Sequence, residues 1–406
     1  MAGVVAPPVA LYIHIPFCVS LCPYCDFVVF AGAAARGPRA RIDAFIAALR
    51  VELDLRADAL DVAFPDGRPP LETVYLGGGT PSMLPGEALA SILDRVRTRF
   101  GVADGAEVTV EANPGPDERG DMAMMRAAGV TRLSIGAQAM SASGLRRLGR
   151  RHRVVDVVRT VAEARQAGIA SISLDLLYDV PDATLTSWIE TLEAALALEP
   201  DHLSLYALTL DDPDAEGLTG PGGDHLPTTA GARRWREVAR SAQDEDRAAA
   251  EYHHAVHRLA DDGWRGYEIS NWARPGHESR HNLVYWDRRP YEAVGPGAHA
   301  FDGVTRRWNA ARLDGYLAAL TPAAGARGLP PGGSETPAKE AAVAETVILG
   351  LRTDRGVPLD AAHEPPLDDA FGWALAAELV DVTADDRVVL TTRGRLLSNE
   401  LFSRLI

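Results

Sequence analysis

The sequence predicts an α/β protein with a parallel sheet, and two observations carry that class. Over residues 9–210, short β-rich runs alternate with longer stretches of helical spacing, the pattern of βαβ units with right-handed crossovers. Polar or glycine-rich residues collect just after the β-rich runs, where open sheets and barrels alike place their ligands. The 406 residues, 47% hydrophobic and 24% charged, are ordinary for a globular protein and long enough to bury a large core without disulfides. At roughly 100–200 residues per domain, two or three domains are expected.

The β-rich runs are 9–15, 73–76, 107–111, 132–135, 171–176 and 202–208. Residues 41–60 give the clearest helix, with Ile42, Phe45, Ile46, Leu49 and Leu53 on one face; 85–100, 117–128, 154–167 and 185–198 read the same way. Six strands make an open sheet or a partial barrel. The first run leads into the cysteines, the second ends in Gly77-Gly78-Gly79-Thr80-Pro81, and the third in Glu111-Ala112-Asn113-Pro114. The fourth ends in Gly136-Ala137-Gln138 and the fifth carries Asp175, so one large site built from many loops is expected. Residues 211–228, rich in Asp, Gly and Pro, read as a surface excursion, followed by a long helix over 230–262 and β-like runs at 267–270 and 294–301. Residues 321–337 read as a linker. The remainder, with helices and a β pair at 380–383 and 388–391, suits a small winged-helix-like domain. The expected units are 1–210 (barrel), 211–320 (an α+β extension), 321–337 (linker) and 338–406 (C-terminal domain).

The charge sum is 41 − 56 = −15, with Lys339 the only lysine, which argues against a nucleic-acid backbone binder. No polybasic membrane patch is present. Apolar runs are broken well before the ~18 residues a spanning helix needs. The start, Met-Ala-Gly-Val-Val-Ala-Pro-Pro, lacks the positive region of a signal peptide, so a cytoplasmic protein is expected.

All three cysteines, Cys18, Cys22 and Cys25, fall within eight residues in the spacing C-x3-C-x2-C. Three thiolates on one loop suit a [4Fe–4S] cube, which normally takes four protein ligands; with no fourth cysteine, one iron is left for an external ligand. The alternative is zinc, whose structural sites close with four ligands and would need His14 or a distant histidine.

That spacing, with Tyr24 before the last cysteine, resembles the signature of the radical S-adenosylmethionine (SAM) superfamily. Tyr12-Ile13-His14-Ile15-Pro16-Phe17-Cys18 resembles the oxygen-independent coproporphyrinogen III oxidase group within it, and the likeness runs to Leu397-Ser398-Asn399-Glu400. The resemblance implies a partial (β/α)6 barrel in which SAM chelates the open iron and is cleaved by one electron from the reduced cluster. It also implies the SAM contacts. Gly78, Gly79 and Thr80 match the glycine motif, Glu111 the acidic residue near the SAM ammonium, and Gln138, Arg150 and Asp175 the polar contacts. Tyr12 and Tyr24 match positions flanking the cluster. Singly, each reads as a loop, capping or surface residue. Asp179 departs from the family, where glycine is usual.

Two branches divide this group. The oxidases carry an N-terminal extension and a further cysteine at the position of Phe27. The chain's departures resemble the heme chaperone (HemW) branch, as does His281-Asn282-Leu283-Val284-Tyr285-Trp286, which reproduces that branch's H-N-x-x-Y-W motif after Tyr267-Glu268-Ile269-Ser270-Asn271-Trp272. A neutral imidazole is a normal axial heme ligand, and Tyr and Trp offer flat apolar faces. From the residues alone, His281 reads rather as a histidine that caps or bonds a core loop while the aromatics pack; the whole-chain resemblance reverses that preference. His253 and His257, four apart on a helix, read as a solvated face, and Gly295-Pro296-Gly297-Ala298 is too weak for a dinucleotide motif. The expectation is a protein that binds the cluster, SAM and heme, takes electrons from a donor and passes heme to an acceptor, with peripheral membrane contact allowed. The alternative is the oxidase, converting coproporphyrinogen propionates to vinyl groups in porphyrin biosynthesis.

Overall fold

A computed structural model describes residues 4–32, 40–210, 213–322 and 325–406. The leading Met1-Ala2-Gly3, part of the 211–228 excursion and part of the 321–337 stretch lie outside the described residues. Six parallel strands follow chain order: β1 (Ala10–Ile15), β2 (Leu71–Gly78), β3 (Val102–Ala112), β4 (Arg132–Gln138), β5 (Ser171–Tyr178) and β6 (His202–Ala207). Between them run α1 (Ala40–Ala63), α2 (Gly86–Phe100), α3 (Met122–Ala127), α4 (Ala142–Arg147), α5 (Val154–Gln166) and α6 (Leu185–Leu196).

Strand alternation divides the two faces. Leu11, Ile13, Val74, Leu76, Val108, Val110, Leu133, Ile135, Ile172, Leu174, Leu203 and Leu205 join the main apolar core with the helices. Their neighbours in sequence, Tyr12, Tyr75, Glu111, Ser134, Asp175 and Ser204, share the other face. Register carries that face across the sheet, since Tyr12 lies opposite Tyr75, Glu111 opposite Ser134, and Asp175 opposite Ser204. A fold that sends its apolar set outward to helices leaves the concave side polar and available for chemistry.

The later elements extend this sheet. α7 (Ala230–Arg240) and α8 (Glu245–Asp261) replace the single helix expected over 230–262. The break falls at Asp244, whose side chain accepts the Arg247 N–H and caps α8. The 267–270 run is not a strand. Glu268 turns its carboxylate back to accept from the Ser270 N–H at 2.9 Å, and such local bonds compete with a ladder. Arg265–Gly266 and β7 (Asn271–Ala273) form the antiparallel edge beyond β6 instead. α9 (Arg280–Trp286) leads to β8 (Tyr291–Val294), which pairs in parallel with β1 as a seventh parallel strand. The 294–301 run is interrupted at Gly295, where φ is +102° and an added Cβ would stand 2.5 Å from the His14 carbonyl oxygen. β9 (His299–Phe301) and β10 (Arg306–Asn309) follow in antiparallel order. β11 (Gly332–Glu335), inside the stretch read as linker, pairs with β10; it carries no apolar side chain, so no periodicity announced it. The order β11-β10-β9-β8-β1-β2-β3-β4-β5-β6-β7, with Arg265–Gly266 beyond β7, is open-ended among the described residues.

Residues 117–120 form a turn rather than helix, because Asp121 caps α3 by accepting the Met124 N–H. The C-terminal residues pack Val347, Leu351, Leu367, Leu379, Val388 and Leu401 around a three-stranded antiparallel sheet, Val357–Pro358, Arg387–Leu390 and Val380–Val382. No helix among the described residues is long and apolar enough to cross a membrane.

Candidate cluster and cofactor site

The cysteine loop leaves β1 through a two-residue parallel pairing of Phe17–Cys18 with Phe30–Ala31. Cys18 is buried, and Cys22 and Cys25 are half-buried. Four side chains from distant elements fix this loop. The Thr80 hydroxyl lies 3.1 Å from Cys18 Sγ, and Arg150 Nη1 donates to Cys22 Sγ at 3.3 Å. Arg236 of α7 donates to the Pro23 and Cys25 carbonyls at 3.1 and 2.9 Å, and Glu118 accepts from the Val19 N–H. Burial pushes the Cys18 thiol up to about 12, with the Thr80 hydroxyl acting against it and Cys22 with it; burial and then Cys22 and Cys18 raise Cys25. A loop on which Cys22 raises both Cys18 and Cys25 is a donor set that a cation stabilises. No group of three His, Cys, Asp or Glu among the described residues is placed to hold a metal ion. A single zinc needs its ligands on one point, whereas a cube spreads three thiolates over three irons. Three thiolates on one short loop are the donors such a cube takes, and the donor set fits it.

Gly78 takes φ +99°, and a Cβ there would stand 2.2 Å from the His14 ring. Its N–H donates to Glu111 Oε2 at 2.9 Å, while the Tyr75 hydroxyl donates to Glu111 Oε1 at 2.8 Å. Burial raises the Glu111 carboxyl to about 7, against those two hydrogen bonds. Gly79 packs where a side chain would meet the Ile15 and Phe17 backbone. Asn113 joins the two ends of the site, donating to Thr80 Oγ1 at 2.9 Å and accepting from Arg150 Nη2. Arg150 also donates to the Gly136 carbonyl, beside Gln138, which stands at φ +65°. Asp175 lies deeper, accepting from Ser134 at 3.1 Å and Ser173 at 3.3 Å, with burial raising its carboxyl. Tyr12 stacks on Tyr75 with ring centres 6.1 Å apart. Tyr24 packs on Trp235, its buried hydroxyl lacking a hydrogen bond of ordinary geometry beside the Cys22 thiol. The Gly78–Thr80 turn, Glu111 and Arg150 thus meet around the cysteine loop, and the Tyr24 hydroxyl is a polar group awaiting a partner.

Asn113, Glu118, Tyr75 and Arg236 were missed as site residues. Asn113 had a signal, standing directly after the third strand. Glu118 and Arg236 reach the loop from 99 and 213 residues away and leave no local pattern.

The H-N-x-x-Y-W motif does not form one surface. Its helix is capped by Ser279, whose hydroxyl accepts the Asn282 N–H. His281 is 1% exposed and stacks on Tyr75 at 5.1 Å. Its Nδ1 lies 2.7 Å from the Thr73 hydroxyl and its Nε2 2.8 Å from the Tyr285 hydroxyl. Burial lowers the ring to about 3. Both nitrogens of the expected axial ligand are thus engaged with hydroxyls of the fold. Trp286 faces the other way, under the Arg352 guanidinium at 4.4 Å. Tyr285 alone opens onto a cavity of about 280 Å³, beside Tyr12, Phe27 and three histidines.

Residues 12–195 match the model of the radical SAM superfamily. The chain is 38% identical over 406 residues to a Mycobacterium tuberculosis protein named heme chaperone HemW, covering all of this chain and 97% of that one. It is 32% identical to the Bacillus subtilis protein of the same name, covering 97% and 98%. The fold matches the solved Escherichia coli coproporphyrinogen III oxidase, HemN, with a TM-score of 0.79 and 22% identity, over 99% of this chain and 91% of that chain. With the cysteine loop, the glycine turn and near-complete coverage in agreement, this chain belongs to the radical SAM superfamily, in the branch whose members are named heme chaperone HemW.

Proposed function

We propose that this chain is a cytoplasmic heme carrier. It binds a [4Fe–4S] cluster through Cys18, Cys22 and Cys25, binds SAM across Gly78, Gly79, Thr80, Glu111, Gln138, Arg150 and Asp175, and passes heme to an acceptor protein. The observation that carries the heme reading is the full-length similarity to proteins named for that activity, joined to a cavity that adjoins the cysteine loop. When bound, the cluster and SAM supply one-electron chemistry, which requires an electron donor. The chain's own residues do the holding. Thr80 and Arg150 fix the thiols, Glu111 offers an anion to the SAM amino group, and Tyr12 and Tyr24 flank the pair. His281 acts through Tyr285, bracing that hydroxyl at the cavity wall.

The test is an anaerobic comparison on reconstituted protein. Stoichiometric hemin uptake without consumption of coproporphyrinogen is expected. Conversion of coproporphyrinogen in the presence of SAM and reductant, with no hemin uptake, would sink the carrier reading in favour of the oxidase.

A further inference from the structure

The cavity beside the cysteine loop contains three imidazoles, and their hydrogen bonds distinguish them. His14 has both nitrogens engaged, Nδ1 with the Tyr12 hydroxyl at 3.0 Å and Nε2 with the Val28 carbonyl at 2.8 Å. Asp224 holds the other two. Its Oδ1 lies 3.0 Å from His225 Nδ1 and its Oδ2 lies 2.8 Å from His299 Nε2. Burial works against the Asp224 carboxylate, but the His225 hydrogen bond and the His299 charge outweigh it and hold the group below the usual range. His299 is further fixed by stacking on Trp308 at 6.0 Å. Its outer nitrogen is taken, leaving only Nδ1, the nitrogen crowded by its own main chain. His225 is the converse. Its inner nitrogen faces the carboxylate, and Nε2 has no hydrogen-bond partner among the described residues.

A carboxylate accepting an imidazole N–H fixes the tautomer and makes the opposite nitrogen a better metal donor. We infer that His225, oriented by Asp224 in the cavity beside the cysteine loop, is the axial ligand through which this chain takes up heme iron. The inference rests on the heme-carrier reading and replaces His281 as the ligand. Tyr285, Tyr291 and Phe27 supply the flat and apolar walls a macrocycle needs. At about 280 Å³ the cavity lies at the small end of ligand pockets, so it grips one part of a heme and leaves the rest outside. A carrier that must hand its cargo on needs such an exposed edge.

The experiment titrates hemin into the reconstituted full chain and follows the Soret band, with iron–sulfur absorbance as the control for folding. His225→Ala is expected to weaken hemin binding more than tenfold and to shift the Soret band, with added imidazole restoring part of the wild-type spectrum. Asp224→Asn keeps the ligand but loses its anionic partner, and should weaken binding by about 10–100-fold. His257→Ala, on the exposed face of α8, should leave the axial-ligand signature in place. If the wild type binds hemin and His225→Ala gives the same affinity and spectrum, the histidine assignment is overturned while the carrier reading stands. The assignment also falls if His299→Ala alone removes the signature. If the wild type takes up no stoichiometric hemin, the carrier reading fails and the inference with it. Should His225→Ala also lose cluster absorbance, the Asp224→Asn titration decides, and unchanged binding there overturns the inference.

Discussion

Protonation of Glu111 should govern SAM binding. Its carboxyl stands at about 7 rather than the usual 4.5, chiefly because of burial. At that value roughly one group in eleven is ionised at pH 6 and roughly ten in eleven at pH 8. If the SAM amino group requires the anion, binding should be about tenfold weaker at pH 6 than at pH 8. Glu111→Gln removes the titration and one charge-assisted bond worth ~1.5–3 kcal/mol, so it should bind weakly at both pH values with a flattened profile. A stability effect of the opposite sense accompanies this. The folded state holds the Glu111 proton more tightly than the unfolded chain, so stability is full below about pH 4.5 and falls as pH rises through about 7. A shift from 4.5 to about 7 corresponds to about 3 kcal/mol at alkaline pH. SAM titrations of reconstituted protein at pH 6, 7 and 8, followed by EPR of the reduced cluster, read the first effect; thermal melts without SAM read the second. Parallel pH profiles for the wild type and Glu111→Gln, in both measurements, would refute the reasoning.

Three further outcomes are expected. Cys22→Ala should abolish the broad iron–sulfur absorbance of reconstituted protein, because the proposed ligand set has no fourth thiolate to replace it; stoichiometric zinc with no iron uptake in the wild type would oppose this. Gly78→Ala must place a Cβ 2.2 Å from the His14 ring at φ +99°, so it should cost ~1–3 kcal/mol of backbone strain beyond the overlap, seen as a lower melting temperature, and should impair SAM binding. Arg236→Met removes two charge-assisted bonds to the cysteine-loop carbonyls, so reconstitution should yield less iron per chain while the far-ultraviolet circular dichroism is unchanged.

The main strands were legible because their alternation is strong. Leu11, Ile13 and Ile15 face the helices, while Tyr12 and His14 face the concave side. The cysteine loop stood out because Cys18, Cys22 and Cys25 fall within eight residues. What stayed hidden was joined across distance. Arg236 reaches Cys25 from a helix whose sequence reads as a plain amphipathic segment, and β11 is a strand of Gly, Ser and Glu held by backbone pairing and by the Arg306–Glu335 ion pair. His281 was the opposite case. Its motif was plain, yet the Thr73 and Tyr285 hydroxyls that occupy its nitrogens lie on another strand and one turn along the helix.

Asp179 shows what the structure adds where the sequence recorded only a departure from the family. It stands at φ +54°, a conformation in which glycine is strain-free and Asp is tolerated. Its N–H donates to Glu251 Oε2 at 2.7 Å. Its carboxylate accepts from Arg247 Nη2 at 2.5 Å and from the Asp244 N–H at 3.2 Å, where α8 begins. Both ion-pair partners are largely buried, with side-chain exposures of 16% and 11%. Asp179→Gly would relieve roughly 1 kcal/mol of backbone strain. It would also remove the carboxylate from a buried pair, a loss of ~3–5 kcal/mol when the remaining charge is uncompensated. Arg247 keeps Glu251 at 3.8 Å, which reduces that loss. The balance favours aspartate by ~1–3 kcal/mol, so Asp179→Gly should lower the midpoint of urea unfolding, and Asp179→Asn should fall between the two. A glycine variant as stable as the wild type would mean that the Arg247 pair contributes no more than the strain it offsets.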